Sequence, residues 1–357
     1  MADYPMPPLT VIDTLRKGAV IPAHPLALTG NRKFDERRQR ALTRYYHAAG
    51  AGGVAIGVHT TQFEIRDPQH QLYEPVLRCA AETLDELDAC THRETVRIAG
   101  ICGQTAQAVR EARTARGYGY HLGILALSDL QNERDDALIA HCKAVAQEIP
   151  LMGFYLQPAA GGRLLSEAFW QRFVEIPNVF AIKVAPFNRY HTLDVVRAVA
   201  SVGRAGDVAL YTGNDDTIVI DLLTRYEVRT GSGLVGVEFA GGLLGHWAYW
   251  TSKAVELLKA CHKARQNGSI PSRLLTLAAQ VTDSNAAIFD VANDYAGVNP
   301  GIHEVLRRQG LMSNNLCLDA DSHLSPGQAA EIDRVTRDYS HLTDDDFVCA
   351  HLTEWLD

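Results

Sequence analysis

The sequence predicts a (β/α)8 TIM barrel followed by a C-terminal helical extension, and three observations carry the prediction. Short apolar runs alternate with longer amphipathic ones, the pattern of a parallel sheet covered by helices. The alternation repeats eight times over roughly 250 residues, the size of a TIM barrel. It then stops near residue 265, where Asn267-Gly268-Ser269-Ile270-Pro271 breaks the pattern. A doubly wound open sheet would also alternate, but several strand candidates carry small or polar residues toward their ends, where barrel enzymes keep their sites.

Taken in order, strands are expected near 18–26, 52–58, 95–102, 119–127, 149–157, 178–185, 207–213 and 233–240. Helices are expected near 35–50, 68–92, 104–117, 132–147, 166–174, 192–203, 215–228 and 242–263. The barrel thus takes residues 1–265 and the extension residues 266–357. In the extension, Leu274 to Tyr295 reads as one helix and Gly301 to Gln309 as another. Ser325-Pro-Gly-Gln begins a third, with Ser325 as N-cap and Pro326 at the first helical position. Asp344-Asp345-Asp346 reads as a solvated turn or helix start ahead of an acidic metal cluster.

Composition narrows the function. The 357 residues carry 34 basic and 42 acidic side chains and no basic run, which argues against nucleic acid or an anionic membrane as partner. Seven cysteines lie scattered without a C-x-x-C pair or metal spacing, and are expected to be reduced and mostly buried. The first residues form neither a basic n-region nor an apolar h-region, and no later run is long enough to span a membrane. A cytoplasmic protein is the expectation.

The stretch Asn178-Val-Phe-Ala-Ile-Lys-Val-Ala185 places a lysine inside an apolar strand. Alternation puts Val179, Ala181, Lys183 and Ala185 on one face and Phe180, Ile182 and Val184 on the other. Desolvation lowers the pKa of an amine, so Lys183 can become a neutral nucleophile; the plainer alternative is a lysine snorkelling from an edge strand. Tyr155 lies near the end of strand five, Lys183 near the end of strand six. On neighbouring staves the phenol could reach the amine's substrate and move protons beside an imine, or it could be a satisfied core tyrosine.

Strand two ends in Gly57-Val-His-Thr-Thr-Gln-Phe-Glu64. Thr60 and Thr61 could hold a carboxylate or cap the next helix. His59, and His24 at the end of strand one, could be acid/base groups or polar lining residues, and neither has a partner at metal-ligand spacing. Tyr211-Thr-Gly-Asn-Asp215, with Gly213 at its centre, could line the mouth or cap a helix. Gly50-Ala-Gly52 and Gly231-Ser-Gly233 each precede a strand, so they read as turns, since a dinucleotide fingerprint follows one.

These residues resemble the dihydrodipicolinate synthase and N-acetylneuraminate lyase family of Schiff-base barrels, over roughly residues 18–263. The resemblance rests on His59-Thr-Thr-Gln-Phe-Glu64, on Tyr155-Leu-Gln-Pro158 and on Ile182-Lys183, with Lys183 standing 28 positions after Tyr155. It implies that Lys183 forms an imine with pyruvate or a sugar-derived 2-oxo acid and that Tyr155 shuttles the protons. It further implies that Thr60 and Thr61 bind the carboxylate, that Val235 lines the site through its backbone, and that the chain forms a dimer or tetramer. No metal or organic cofactor is implied, because the protonated imine is the electron sink.

Departures from the family narrow the reading. Ala160 stands where the synthases carry an arginine for their aldehyde partner, Ala126-Leu-Ser-Asp129 replaces an aromatic pair, and Gln62 and Phe63 replace strand-two glycines. An aldolase or dehydratase fits better than the lysine-pathway synthase. A non-catalytic or regulatory binder of a 2-oxo acid, and a site using His24 and His59 in place of an imine, are the alternatives.

Overall fold

In chain order the computed structural model describes residues 4–158 and 161–357. Its strands are β1 (Val20–Pro22), β2 (Gly53–Ile56), β3 (Val96–Ile101), β4 (Leu122–Leu125), β5 (Leu151–Leu156), β6 (Val179–Ala185), β7 (Ala209–Thr212), β8 (Arg225–Thr230) and β9 (Gly233–Leu244). The sheet order is β1-β9-β7-β6-β5-β4-β3-β2, and a parallel bridge from Ala23 to Ala55 joins β1 to β2. This is the order of a (β/α)8 barrel. The parallel strands β1 to β7 are buried almost throughout, as strands covered on both faces must be.

The helices are α1 (Leu9–Lys17), α2 (Glu36–Ala49), α3 (Tyr73–Thr91), α4 (Thr105–Gly117), α5 (Asp135–Ala146), α6 (Glu167–Val174), α7 (Arg189–Ser201), α8 (Ile218–Leu223), α9 (Thr251–Gln266), α10 (Ser272–Ile288), α11 (Val298–Arg308), α12 (Gln328–Asp338) and α13 (Asp345–Leu356). Three of them, α2, α6 and α7, start on side-chain caps. The Asp35 carboxylate accepts from Arg38 N–H at 3.2 Å, Ser166 Oγ from Phe169 N–H at 3.1 Å, and Asn188 Oδ1 from Tyr190 N–H at 2.9 Å. Gly50 ends α2 at φ 90°, so it is a helix-terminating glycine as its place before a strand suggested.

Several expectations need correction. The helix expected over 215–228 stops at Leu223, and Arg225–Thr230 instead form β8, paired antiparallel with Gly233–Glu238. Only from Phe239 does β9 run parallel to β7. Val235 therefore pairs with Val228 in this hairpin, ahead of the barrel portion of its strand, and does not stand at the strand's C-terminal end. Ser325 is not an N-cap: Gly327 holds that place at φ 87°, and the Ser325 hydroxyl donates to Asp290 Oδ2 at 2.5 Å. α1 and α13 were not foreseen.

By compactness the chain forms two units. The first gathers α1, Val96–Asn214 and Asp221–Leu243; the second gathers Val20–Thr95, Asp215–Ile220 and Leu244–Asp357. The helices after residue 266 thus group with β1, β2, α2 and α3. Within this second unit Asp344 is a tie: its buried carboxylate accepts from Tyr45 Oη at 2.8 Å, Ser252 N–H at 3.1 Å and Gln309 Nε2 at 2.8 Å. Asp344 lies directly ahead of α13, as a helix-start reading of the acidic run requires.

Candidate active site

In the first unit, Lys183 is half-buried in a strand otherwise buried on every residue. It is paired with Phe154 of β5 and Tyr211 of β7, and residues paired in parallel strands share a face. The Lys183 side-chain nitrogen lies 4.6 Å from the centroid of the Phe154 ring, a cation–π geometry. Tyr211 is fully buried and donates to Leu15 O at 3.0 Å; burial raises its phenol pKa.

Gly213 follows β7 and donates its N–H to Val184 O at 2.8 Å. A Cβ there would lie 2.7 Å from Lys183 Cε and 2.7 Å from Ala185 Cβ. The turn can press its backbone against the lysine stem only because residue 213 has no side chain. Its flanks are anchored on fully buried Asp221, which accepts from Thr212 Oγ1 at 2.6 Å, Asn214 Nδ2 at 3.0 Å and Arg189 Nη1 at 2.6 Å. Sequence reasoning missed Asp221, which sits in an apolar helix.

Tyr155 is not brought to Lys183. In the pairing of β5 with β6, Leu151↔Val179 is followed by Met152↔Ala181, so Phe180 is an extra residue and the register slips by one. Without the slip Tyr155 would oppose Lys183; with it Tyr155 opposes Val184 and points to the other face. There it is fully buried against Trp170 of α6 and His191 of α7, with ring centroids 5.4 and 6.1 Å away. Its hydroxyl donates to Leu165 O at 3.2 Å and accepts from Leu165 N–H at 3.3 Å. Burial raises its pKa, against a smaller lowering by the Leu165 contact. Gly153 shares this face, since a Cβ there would meet Phe173 Cε1 at 2.7 Å. The phenol expected to shuttle protons is therefore packed into the helix layer, and Phe154 holds the place beside the amine.

In the second unit the strand-two turn forms a short 3-10 helix over His59–Thr61. Thr61 is fully buried, and its hydroxyl donates to His24 O at 2.7 Å and accepts from Gly57 N–H at 2.9 Å. It fastens the turn. Thr60 is buried as well, yet its Oγ1 meets no hydrogen-bond partner among the described residues. A buried hydroxyl in that state is costly unless something else satisfies it. Gln62 takes φ 67° where the family has glycine, held by Leu318 N–H donating to its Oε1 at 2.6 Å. His59 packs its ring on Phe63 at 6.1 Å and accepts on its carbonyl from Asn299 Nδ2 at 3.4 Å.

His24 is fully buried and engaged by the Thr43 hydroxyl at 2.9 Å and the Gln39 amide at 2.8 Å. Desolvation lowers its pKa to about 4, so it is a neutral core histidine near pH 7. Among the described residues no three His, Cys, Asp or Glu side chains gather as metal ligands, and no helix is long and apolar enough to cross a membrane. Ala160 lies outside the described residues.

No protein-family model matches the chain. One curated relative, a 4-hydroxy-tetrahydrodipicolinate synthase from Nitratidesulfovibrio vulgaris, is 24% identical over 191 residues, 53% of this chain and 61% of the relative. The chain thus spans less than two thirds of that relative's length. Among solved structures, a prophage protein of the dihydrodipicolinic acid synthase family from E. coli K12, in complex with pyruvate, superposes at a TM-score of 0.71 with 17% identity, over 90% of this chain and 98% of its own. N-acetylneuraminate lyase from Fusobacterium nucleatum, complexed with pyruvate, gives a TM-score of 0.70 with 14% identity, over 91% of this chain and 98% of its own. In sequence and in fold the chain is similar to the dihydrodipicolinate synthase and N-acetylneuraminate lyase family.

Proposed function

We infer that the chain is a Schiff-base-forming lyase, an aldolase or dehydratase, acting on pyruvate or a sugar-derived 2-oxo acid. The observation that carries this reading is Lys183, a half-buried amine in an otherwise buried barrel strand, with Gly213 closed against its stem and Phe154 over its nitrogen. The amine adds to the 2-oxo carbon and water leaves, giving a protonated imine. In aldol cleavage the substrate hydroxyl on the far carbon of the breaking bond loses its proton and becomes the aldehyde carbonyl, while the electrons of that carbon–carbon bond flow into the imine to form an enamine. Protonation of the enamine carbon and addition of water then free the acid and the amine. Thr60 supplies a buried hydroxyl of the kind a carboxylate needs, while Thr61 is committed to holding the turn. A dimer or tetramer is part of the reading, and light scattering would measure it.

One observation favours a second reading. With Tyr155 turned into the helix layer, the expected proton carrier is missing beside the amine, as it would be in a binder that has lost turnover. Borohydride reduction after incubation with pyruvate and a panel of sugar-derived 2-oxo acids, followed by peptide mapping, separates the two. A lyase gives an adduct on Lys183 that Lys183→Ala abolishes, and releases pyruvate and an aldehyde or a dehydrated acid. A binder holds the acid in calorimetry even as Lys183→Ala.

A further inference from the structure

The second unit contains a cavity of about 530 Å³ between α9, α10 and the segment around His341, within the size range of small-molecule sites. Its walls are apolar, formed by Trp250, Leu257, Leu274, Leu277, Val281 and Leu342. His246 lines it and is itself only 6% exposed. Arg273 and the Lys253–Glu256 pair also line it.

A hydrogen-bond chain fixes which nitrogen His246 offers. Asn285 Nδ2 donates to Asp215 O at 2.7 Å, so the Asn285 carbonyl oxygen faces Tyr249, whose hydroxyl donates to it at 3.0 Å. That hydroxyl can then only accept from His246 Nδ1, 2.9 Å away. Nδ1 carries the proton, and Nε2 is left as a lone-pair acceptor in an imidazole that burial keeps neutral near pH 7. A histidine wired in this way, on an apolar cavity, suits a ligand that brings a hydroxyl.

Charge selects the rest of the ligand. Lys253 and Glu256 neutralise each other at 3.0 and 3.1 Å, which leaves exposed Arg273 as a lining charge with no ion-pair partner among the described residues. An anionic group at the rim completes the match. We propose that this cavity binds a small hydroxyaryl carboxylate, its ring between α9 and α10, its hydroxyl donating to His246 Nε2 and its carboxylate at Arg273. The site is made of residues separate from Lys183 and stands whether or not an imine forms.

The probe is para-hydroxyphenylacetate, titrated into the full chain by calorimetry. Phenylacetate removes the hydroxyl, and para-cresol removes the carboxylate. The proposal expects saturable binding that Leu277→Trp, which fills the cavity, weakens at least tenfold. It also expects several-fold weaker binding of phenylacetate, and of the hydroxy acid to Arg273→Gln. No binding at millimolar probe to folded protein, or binding indifferent to Leu277→Trp, overturns the site. Equal affinity for all three probes overturns the assigned ligand class. Circular dichroism of each variant confirms that it is folded before it is titrated.

Discussion

Phe154 and Lys183 face each other across β5 and β6, with the lysine nitrogen 4.6 Å from the ring centroid. The ring's negative face meets the position where the charge of a protonated imine would rest. Phe154→Leu keeps apolar bulk and removes that face. The yield of borohydride-trapped adduct at equilibrium should fall about 2- to 30-fold, the range of a cation–π contact worth ~0.5–2 kcal/mol. Intact mass against pyruvate concentration measures it, and an unchanged yield would show the ring to be packing alone.

Tyr155→Phe should behave differently. Among the described residues the hydroxyl exchanges hydrogen bonds with Leu165, in the helix layer, so its loss should lower stability by about 1–3 kcal/mol and leave adduct formation within about twofold. Urea unfolding and adduct trapping on the same preparation check both halves. A large loss of trapping in folded protein would return Tyr155 to the chemistry.

At Gly213 a methyl group would sit 2.7 Å from Lys183 Cε, closer than carbon atoms approach. Gly213→Ala should displace the lysine stem and reduce trapping by an order of magnitude or more, while the far-ultraviolet spectrum stays that of the parent. Retained trapping would mean that the turn after β7 yields more easily than its anchoring on Asp221 implies.

Acid should unfold the protein earlier than its carboxylates alone require. Burial lowers His24, His246 and His303 to about 4 from an ordinary 6.5. The unfolded chain therefore takes up protons on these rings as pH falls below about 6.5, and the folded chain does so only near 4. Stability should be lost across that window, by about 2 kcal/mol per histidine at pH 5. Urea midpoints between pH 7.5 and 4.5 would show the slope, and proton uptake on unfolding at pH 5.5 would confirm its origin.

Much of this was legible in the sequence because burial writes itself into composition. β3 to β7 are buried on both faces and mostly apolar, and runs of that kind can be read without a partner strand. Lys183 stood out for the same reason. What spacing could not supply was register: the 28 residues from Tyr155 to Lys183 suit a catalytic pair, but the extra residue at Phe180 turns the phenol to the opposite face. A bulge depends on how two strands meet, and neither strand carries that information alone. β8 is a different case. Arg225-Tyr-Glu-Val-Arg-Thr230 alternates with a period of two, a strand signal outweighed by the apolar Ile218–Leu223 directly before it.

That hairpin leaves β8 with a strand on one side only among the described residues. A bare backbone edge invites a second chain to add to it. Every outward position of this edge, at Arg225, Glu227 and Arg229, is charged, while Tyr226, Val228 and Thr230 turn inward. A chain crowding against β8 would have to strip water from three ionised side chains before its first ladder hydrogen bond formed. The segment that most disguised the barrel's eighth strand thus also shields that edge, and a triple change of these residues to threonine should lower the concentration at which the protein precipitates.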